Sequence, residues 1–341
     1  MITVVIPTIG RPTLRDTLAA VGPGVPVVVV DDRKPADAPG LSLPAHVRVV
    51  RSGGRGPAAA RNAGWRAAET PWVVFLDDDV IPEPGWAEAV WKDLVDLPDD
   101  VAGSQGRIVV PLPAGRRPTD AERNTAGLAE ALWVTADMAY RRTVLEALDG
   151  FDERFPRAYR EDADLALRVT RAGHRLVRGA RATAHPVRSD GFWASVRFQR
   201  GNADDALMRR LHGPEWRAAI GGGPGRLRLH ALTTAAGLAA ALLAGAALAT
   251  RRPATRRPAD RRPADRLFAA IRRRPAAPRV LPALAVAAGG AWAALTAEFA
   301  WRRVAPGPRT PGEVLRMAVT SVVIPPVACA HRVRGEWRVR R

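Results

Sequence analysis

The stretch that decides the fold is Trp72-Val73-Val74-Phe75-Leu76-Asp77-Asp78-Asp79, a continuous apolar run that ends in three aspartates. A short apolar run with a polar end is typical of a strand buried on both faces of a sheet. The chain contains similar runs and, around them, stretches of helical character: strands at 2–6, 25–30 and 47–50, helices at 12–21, 58–68 and 84–95. This alternation predicts an α/β fold with a Rossmann-like, mostly parallel sheet and flanking helices.

Acidic residues follow two of the predicted strands. Asp31 and Asp32 end the second run, and Asp77-Asp78-Asp79 ends the fourth. Ligands of such sheets bind at the carboxyl ends of the strands. Carboxylate oxygens suit a divalent cation, Mg²⁺ or Mn²⁺, which in turn bridges phosphate oxygens. The aspartates therefore predict a site for a cation, a donor ribose or both, and the alternatives are an exposed acidic loop for the triplet and a solvated turn for the pair.

Three further groups are candidates for chemistry. Arg61 lies in a stretch of small residues, 56–64, where it faces a pyrophosphate or the aspartates, or else lies on the solvated face of an ordinary helix. Glu161 and Asp162 open a predicted helix, so they supply either a base for an acceptor hydroxyl or favourable charges at the helix N-terminus. His185 is either a metal ligand or a structural histidine.

Taken in order, these stretches resemble the inverting glycosyltransferases of the GT-A fold, known as family 2. The motifs that carry the resemblance are Val4–Thr8, Val30–Asp32, Ala60–Gly64, Phe75–Asp79, Asp137–Arg142, Gly150–Phe155, Glu161–Leu165 and His185. It covers roughly residues 1–215. The chain departs from the family at Ile9-Gly10-Arg11-Pro12, where many members carry an acidic residue or asparagine.

The resemblance implies a role for each matching residue. Asp162 is expected to be the general base, supported by Glu161, and Asp79 and His185 are expected to bind the cation. The residues expected to bind the donor are Thr8, Asp31 and Asp32 at the nucleoside, Arg61 and Arg200 at the diphosphate, Asp77 at the ribose, Asp78 beside it in the DXD motif, and Asp137 near the sugar or acceptor. The implied reaction transfers a sugar from a nucleoside diphosphate to a hydroxyl group with inversion.

Composition limits the alternatives. The chain has 341 residues, a net charge of +18 and one cysteine, Cys329, which excludes a disulfide framework and a cysteine-based zinc site. The basic residues are almost all arginines, which indicates either a polyanionic partner or a biased genome. A nucleic-acid partner is not expected, because the arginine repeat after residue 250 alternates with proline and alanine and lacks interleaved aromatic residues.

The C-terminal third differs in kind from the rest. We expect a glycosyltransferase domain over 1–216, a linker over 217–228, an apolar helical region over 229–331 with an Arg/Pro-rich interruption at 251–279, and a basic tail over 332–341. Apolar segments near 20 residues are long enough to cross a membrane. The alternative is a soluble helical bundle, which would go with a soluble enzyme acting on a small molecule, or with a protein that binds nucleotide sugars without catalysis.

The start of the chain contains no signal-peptide pattern, so we expect the catalytic part at the cytoplasmic face of the membrane. The expected partners are a nucleotide-sugar donor, a lipid-linked or cell-envelope glycan acceptor and an anionic membrane surface. A single crossing at 229–249 would put the arginines outside, against the positive-inside tendency. Either that segment lies in the interface, or only the last two apolar segments span the membrane as a hairpin.

Overall fold

The structure, a computed structural model, describes residues 1–34, 39–188, 191–251 and 280–340. It divides into two units. The first contains residues 1–224, 306–308 and 331–341, and the second contains residues 225–305 and 309–330. The division at 224/225 falls inside the predicted linker. The Arg/Pro-rich segment predicted for 251–279 lies outside the described residues except for position 251.

The first unit is built on one sheet. Its strands are β1 (Ile2–Thr8), β2 (Val27–Asp31), β3 (Val47–Arg51), β4 (Trp72–Leu76), β5 (Ile81–Pro82), β6 (Val101–Val109), β7 (Asp137–Arg141) and β8 (Arg175–Ala184), in the spatial order β3-β2-β1-β4-β7-β6-β8-β5. Strands β1 to β4 are parallel to one another, as are β6 and β8. The sheet is nevertheless mixed, because β7 runs antiparallel to both β4 and β6, and β5 runs antiparallel to β8.

Alternation along the strands divides the core between the two faces of the sheet. Val4 and Val29 face one side and pack with helix α1 (Leu14–Val21). Val5 and Val30 face the other side and pack with helix α2 (Pro57–Ala67). Gly64 lets α2 approach the sheet closely, since a Cβ there would lie 2.2 Å from Cγ1 of Val5. The predicted α/β fold with helices on both faces is confirmed.

The remaining helices of this unit are α3 (Trp86–Leu94), α4 (Asp120–Ala126), α5 (Arg142–Ala147), α6 (Glu161–Arg171), α7 (Ala194–Arg197), α8 (Gly201–His212) and α9 (Trp216–Ala219). Two details differ from the sequence prediction. The long strand β8 and the helix α4 are not among the elements predicted above. Helix α4 begins at a capping box, in which Thr119 and Glu122 each bond the other's backbone N–H.

The second unit consists of long apolar helices, in agreement with the predicted apolar helical region. They are Leu227–Arg251, Val280–Val304 and the first part of Pro311–Arg340, whose last residues belong to the first unit. The first two pack closely, and a Cβ on Gly237 would lie 2.9 Å from the Trp292 ring. All three described helices are long and apolar enough to cross a membrane. The described pairing joins the first and second segments, whereas the hairpin considered from the sequence joined the second and third.

Candidate active site

The carboxyl ends of β1, β2 and β4 open into a cavity of about 520 Å³ in the first unit. Parallel strands place these ends at one edge of the sheet, so residues far apart in the chain meet there. The predicted site residues that line the cavity are Thr8, Asp32, Arg61, Asp77, Asp78, Glu161, Asp162 and His185. The sequence motifs therefore share one cavity.

Each of the three consecutive aspartates pairs with a different arginine. Nη2 of Arg61 lies 3.0 Å from Oδ1 of Asp77. Nη1 of Arg11 lies 2.8 Å from Oδ1 of Asp78. The third aspartate, Asp79, forms an ion pair with the half-exposed Arg188. Asp78 is further fixed by Thr8, whose hydroxyl donates a hydrogen bond of 2.6 Å to Oδ2. The acidic turn is thus surrounded by positive charge drawn from three other segments of the chain.

Asp77, Asp79 and His185 form a group that fits a divalent cation. One ligand atom of each lies within 4.8 Å of the others. Asp79 is buried and does not itself line the cavity, and neither of its oxygens accepts a hydrogen bond from the part of the chain that the structure describes. The ion pair with the half-exposed Arg188 partly offsets the charge of this buried carboxylate, and the absence of hydrogen bonds leaves it capacity for a cation. The donor set, two carboxylates and an imidazole, suits Mn²⁺ and similar ions.

Glu161 is buried in the wall of the cavity, at the first turn of helix α6. Nη1 of Arg61 donates a hydrogen bond of 2.6 Å to its Oε1, so one guanidinium joins the acidic turn to this helix. Oε2 of Glu161 has no hydrogen-bond partner among the described residues. Burial raises the pKa of Glu161 to about 7, although the nearby Arg61 acts in the opposite direction. Glu161 therefore holds its proton more strongly than an ordinary glutamate.

Asp162, the next residue, is half-buried and lines the cavity. The backbone N–H of Ala163 donates a hydrogen bond of 2.7 Å to its Oδ1. Burial raises the pKa of Asp162, while this hydrogen bond and the charges of Arg61 and Arg160 lower it. A carboxylate with a raised pKa and access to a cavity has the properties of a general base.

The two aspartates after β2 have different surroundings. Asp32 lines the cavity and accepts hydrogen bonds from the Ser52 hydroxyl, at 2.6 Å, and from the Gly56 N–H, at 3.0 Å. Asp31 is buried outside the lining, where Arg33 binds both of its oxygens at 2.8 Å. The hydrogen bonds from Arg33 lower the pKa of Asp31. Of the pair, Asp32 is the one placed to contact a ligand.

Besides Asp31, two predicted donor-binding residues, Asp137 and Arg200, are not brought to the cavity. Asp137 is fully buried, and its carboxylate accepts hydrogen bonds from the Arg181 Nε at 2.7 Å, the Trp86 indole N–H at 2.7 Å and the Thr183 hydroxyl at 2.6 Å. Arg200 is exposed and is not among the lining residues, whereas Phe198, two positions earlier, is. The geometry does not support a donor contact for either predicted residue.

Several lining residues were not predicted as site residues. Arg11 belongs to the stretch noted as departing from the family pattern, and its position beside the first strand was the available signal. Arg188 follows His185 by three residues and had no signal of its own. Asn124 and Thr125 reach the cavity from helix α4, and Thr135 from the loop before β7. These residues come from segments whose course the sequence did not indicate.

Comparisons with known proteins find similarity to glycosyltransferases. Residues 3–147 match the family model described as "Glycosyl transferase family 2". A curated relative, the pre-mycofactocin glycosyltransferase of Mycobacterium tuberculosis, is 31% identical over 194 residues, which are 51% of this chain and 40% of that protein. The chain thus spans well under two thirds of the relative's length.

Similar solved structures include a glucosyl-3-phosphoglycerate synthase from Mycobacterium tuberculosis in complex with Mn²⁺, UDP-glucose and phosphoglyceric acid. It is 20% identical, with a TM-score of 0.40 over 55% of this chain and 71% of that one. Another is S. aureus TarS 1–349 in complex with UDP, 16% identical, with a TM-score of 0.40 over 64% of this chain and 69% of that one.

Proposed function

We propose that this chain, which belongs to glycosyl transferase family 2, transfers a sugar with inversion from a nucleoside diphosphate donor to a hydroxyl group of a lipid-linked or cell-envelope glycan acceptor. The observation that carries the proposal is the shared cavity. Asp77 and His185 bring a cation-binding group to it, and Glu161 and Asp162 bring carboxylates with raised pKa values.

The cation would be held by Asp79 and His185, with Asp77 as a third ligand or as the contact to the donor ribose. When bound, a divalent cation supplies positive charge to the departing diphosphate. Arg61 adds positive charge from the protein, since it lies between Asp77 and Glu161 in the same wall. Asp32 and Thr8, at the ends of β2 and β1, are the proposed contacts to the nucleoside.

Asp162 is the proposed general base. The acceptor hydroxyl forms its new bond to the anomeric carbon while the bond from that carbon to the diphosphate oxygen breaks, and the hydroxyl proton passes to the Asp162 carboxylate. The attack comes from the face opposite the leaving group, so the configuration inverts. Glu161, held by Arg61, fixes the first turn of α6 and contributes negative charge beside the base.

The apolar helices support the proposed acceptor class. A helix of 25 residues, such as Leu227–Arg251, is about 37 Å long, which is enough to cross the hydrocarbon core. Only 6% of its apolar window, and of that of Val280–Val304, is buried within the protein. Leucines and valines exposed over such long helices are unfavourable in water and are expected to contact lipid. We therefore propose a membrane-associated enzyme whose catalytic unit lies at the cytoplasmic face, where lipid-linked acceptors are accessible.

The reaction is tested with the purified full chain. UDP-, GDP- and dTDP-sugars are screened by thermal shift with and without Mn²⁺ or Mg²⁺, and release of the nucleoside diphosphate is then measured for the sugars that bind. We expect at least one sugar to raise the melting temperature only when the metal is present, and to be hydrolysed slowly. Absence of any metal-dependent binding across the panel would contradict the proposed activity.

Membrane association is tested by fractionating cells that express the full chain and washing the membranes at high salt and at alkaline pH. Salt removes a protein bound by its arginines alone, because screening weakens surface electrostatics. We expect the chain to remain with the membranes after both washes. Recovery in the soluble fraction would favour the soluble enzyme that acts on a small-molecule acceptor.

A further inference from the structure

Arg160, the residue immediately before Glu161 and Asp162, has an unusual backbone. Its φ is +80°, in the left-handed region, and it is one of four described residues other than glycine with positive φ. A bulky side chain disfavours this region, and such conformations persist only where surrounding contacts impose them. The contacts that impose this conformation on Arg160 come largely from helices α8 and α9, which take no part in the proposed mechanism.

Two aromatic rings contact the Arg160 side chain. Its guanidinium carbon is 4.3 Å from the centre of the Tyr159 ring and 4.7 Å from the centre of the Trp216 ring. Nη2 donates a hydrogen bond of 2.7 Å to the Tyr159 hydroxyl. Cation–π contacts of this kind are strongest when the cation is shielded from water, and only 19% of the Arg160 side chain is exposed.

A buried carboxylate completes the contacts. Oδ1 of Asp205, on helix α8, accepts a hydrogen bond of 3.0 Å from Nε of Arg160, and its other oxygen pairs with Arg217 of helix α9. Gly201, at the start of α8, allows Tyr159 to lie close, since a Cβ there would be 2.5 Å from its ring. Helices α8 and α9 thus hold one side chain that stands directly before the catalytic carboxylates.

We propose that Arg160 is a positioning residue: the clamp formed by Tyr159, Trp216 and Asp205 fixes its left-handed backbone and thereby aims Glu161 and Asp162 into the cavity. The inference deepens the proposed function and depends on it, since positioning has meaning only if these carboxylates take part in transfer.

The backbone explains how the clamp reaches the base. The carbonyl of Arg160 accepts a hydrogen bond of 2.8 Å from the N–H of Asp164, the first hydrogen bond of helix α6. A change in φ at Arg160 would therefore rotate the first turn, which carries Glu161 and Asp162. A misplacement of about 1 Å in a catalytic geometry costs on the order of 100-fold in rate.

The positive charge of Arg160 also supports the role of Asp162 as a base. It stabilises the ionised form of Asp162, whose pKa burial raises. The other charged or titratable groups that act on or interact with Asp162 are Arg61 from α2, Asp77 after β4, Glu161 beside it and Tyr140 from β7. Loss of the clamp would therefore change both the orientation of the Asp162 carboxylate and the charges around it.

The test uses three variants of the full chain, with a sugar donor that the wild type binds and hydrolyses in the presence of Mn²⁺. Arg160→Gly removes the side chain and accepts positive φ without strain, so misfolding is not expected. Arg160→Lys keeps the charge but loses the planar stacking group. Arg66→Gln is the matched control, because Arg66 also stacks on a tryptophan, 4.9 Å from the Trp65 ring, and pairs with an aspartate, Asp149, outside the cavity.

We expect Arg160→Gly to lower kcat about 100-fold, the loss that a misaligned base produces, with the donor Kd changed by less than about twofold. Arg160→Lys should recover part of kcat, and Arg66→Gln should leave kcat unchanged. An unchanged kcat in Arg160→Gly overturns the inference, as does a donor Kd that rises in parallel with the loss of kcat. Absence of hydrolysis by the wild type would instead be a failure of the proposed function, so the two failures are distinguishable.

Discussion

Asp79 and Asp137 stand only one strand apart, yet their surroundings are opposite. Both are buried aspartates at the end of the sheet where β4 finishes and β7 begins. The carboxylate of Asp137 accepts hydrogen bonds from three side chains. That of Asp79 has an ion pair with Arg188 but accepts no hydrogen bond within the described residues.

The difference indicates what each carboxylate does. A saturated buried carboxylate contributes to the structure, because its neighbours already supply every interaction that the charge requires. A buried carboxylate left without hydrogen bonds, beside a second acid and a histidine, has capacity for a ligand. Burial alone therefore does not identify a functional aspartate; the state of its hydrogen bonds does.

The largest effect is expected at Asp162, the proposed general base, because its carboxylate lines the cavity, whereas that of Asp137 does not. Asp162→Asn keeps the shape but cannot accept the proton, so kcat should fall by about 10²- to 10⁴-fold while the donor Kd stays the same. Steady-state kinetics and calorimetry measure the two quantities. Asp152→Asn is a suitable control, since Asp152 pairs with Arg154 away from the cavity lining. Normal turnover by Asp162→Asn would remove Asp162 from the mechanism.

Asp137→Asn should act on stability. Among the described residues, the substitution leaves the fully buried Arg181 with Asp93, at 3.0 Å, as its one ionic partner. Breaking a buried ion pair costs about 3–5 kcal/mol, and the remaining partner places the expected loss of unfolding free energy near 3 kcal/mol. Urea denaturation followed by circular dichroism measures it. A variant as stable as the wild type, but unable to bind donor, would make Asp137 a site residue after all.

Asp79→Ala should have the opposite effects to Asp137→Asn: it should weaken donor binding and should not lower stability. Removing a metal ligand should weaken metal-dependent donor binding by at least about 100-fold, since even the outer partners of metal ligands contribute about 10- to 100-fold. The stability of the metal-free protein should hold or rise, because a buried charge without hydrogen bonds is lost. Calorimetric titration with and without Mn²⁺ separates these effects. Unaltered metal-dependent binding would refute the cation site.

The smallest predicted effect is a pH dependence of turnover and stability that arises from the cavity acids. The pKa of Glu161 is raised to about 7, so turnover should rise up to about tenfold per pH unit below that value as the Glu161–Asp162 pair ionises. The sign for stability is opposite: the stabilisation is complete below the ordinary pKa of glutamate and is lost as the pH rises through 7. A rate profile that is flat between pH 6 and 8 would contradict this, and Glu161→Gln should reduce the slope of stability.

Much of the first unit could be predicted from local pattern. The apolar runs of β1 to β4 and the helices between them fix the parallel half of the sheet, because continuous burial requires helices on both faces. Convergence of Asp32, Asp77 and Arg61 follows, since parallel strands bring their carboxyl ends together. The antiparallel half of the sheet could not be predicted in this way. The direction of β7 depends on its pairing with strands that are distant in the sequence, which no short segment of sequence reveals.

Asp137 illustrates the same limit at a single side chain. It opens the motif Asp137–Arg142, and in the structure it stands opposite Leu76 in the register of β4 and β7, close to the strand end that carries the cavity acids. Side chains alternate between the two faces of a sheet. Asp137 shares the face of Leu76, toward Trp86, and is thereby directed into the core on the side of α3.

The amino-acid sequence by itself determined the α/β class, the order of the motifs and the presence of long apolar helices, since each depends on periodicity and composition within one segment. Only the tertiary structure decided which carboxylates are left without hydrogen bonds, which arginine meets which aspartate, and that Arg160 contacts two aromatic rings and a buried carboxylate. Those outcomes depend on side-chain direction and on contacts between segments far apart in the chain, such as the pair of Arg61 and Glu161, which are 100 residues apart.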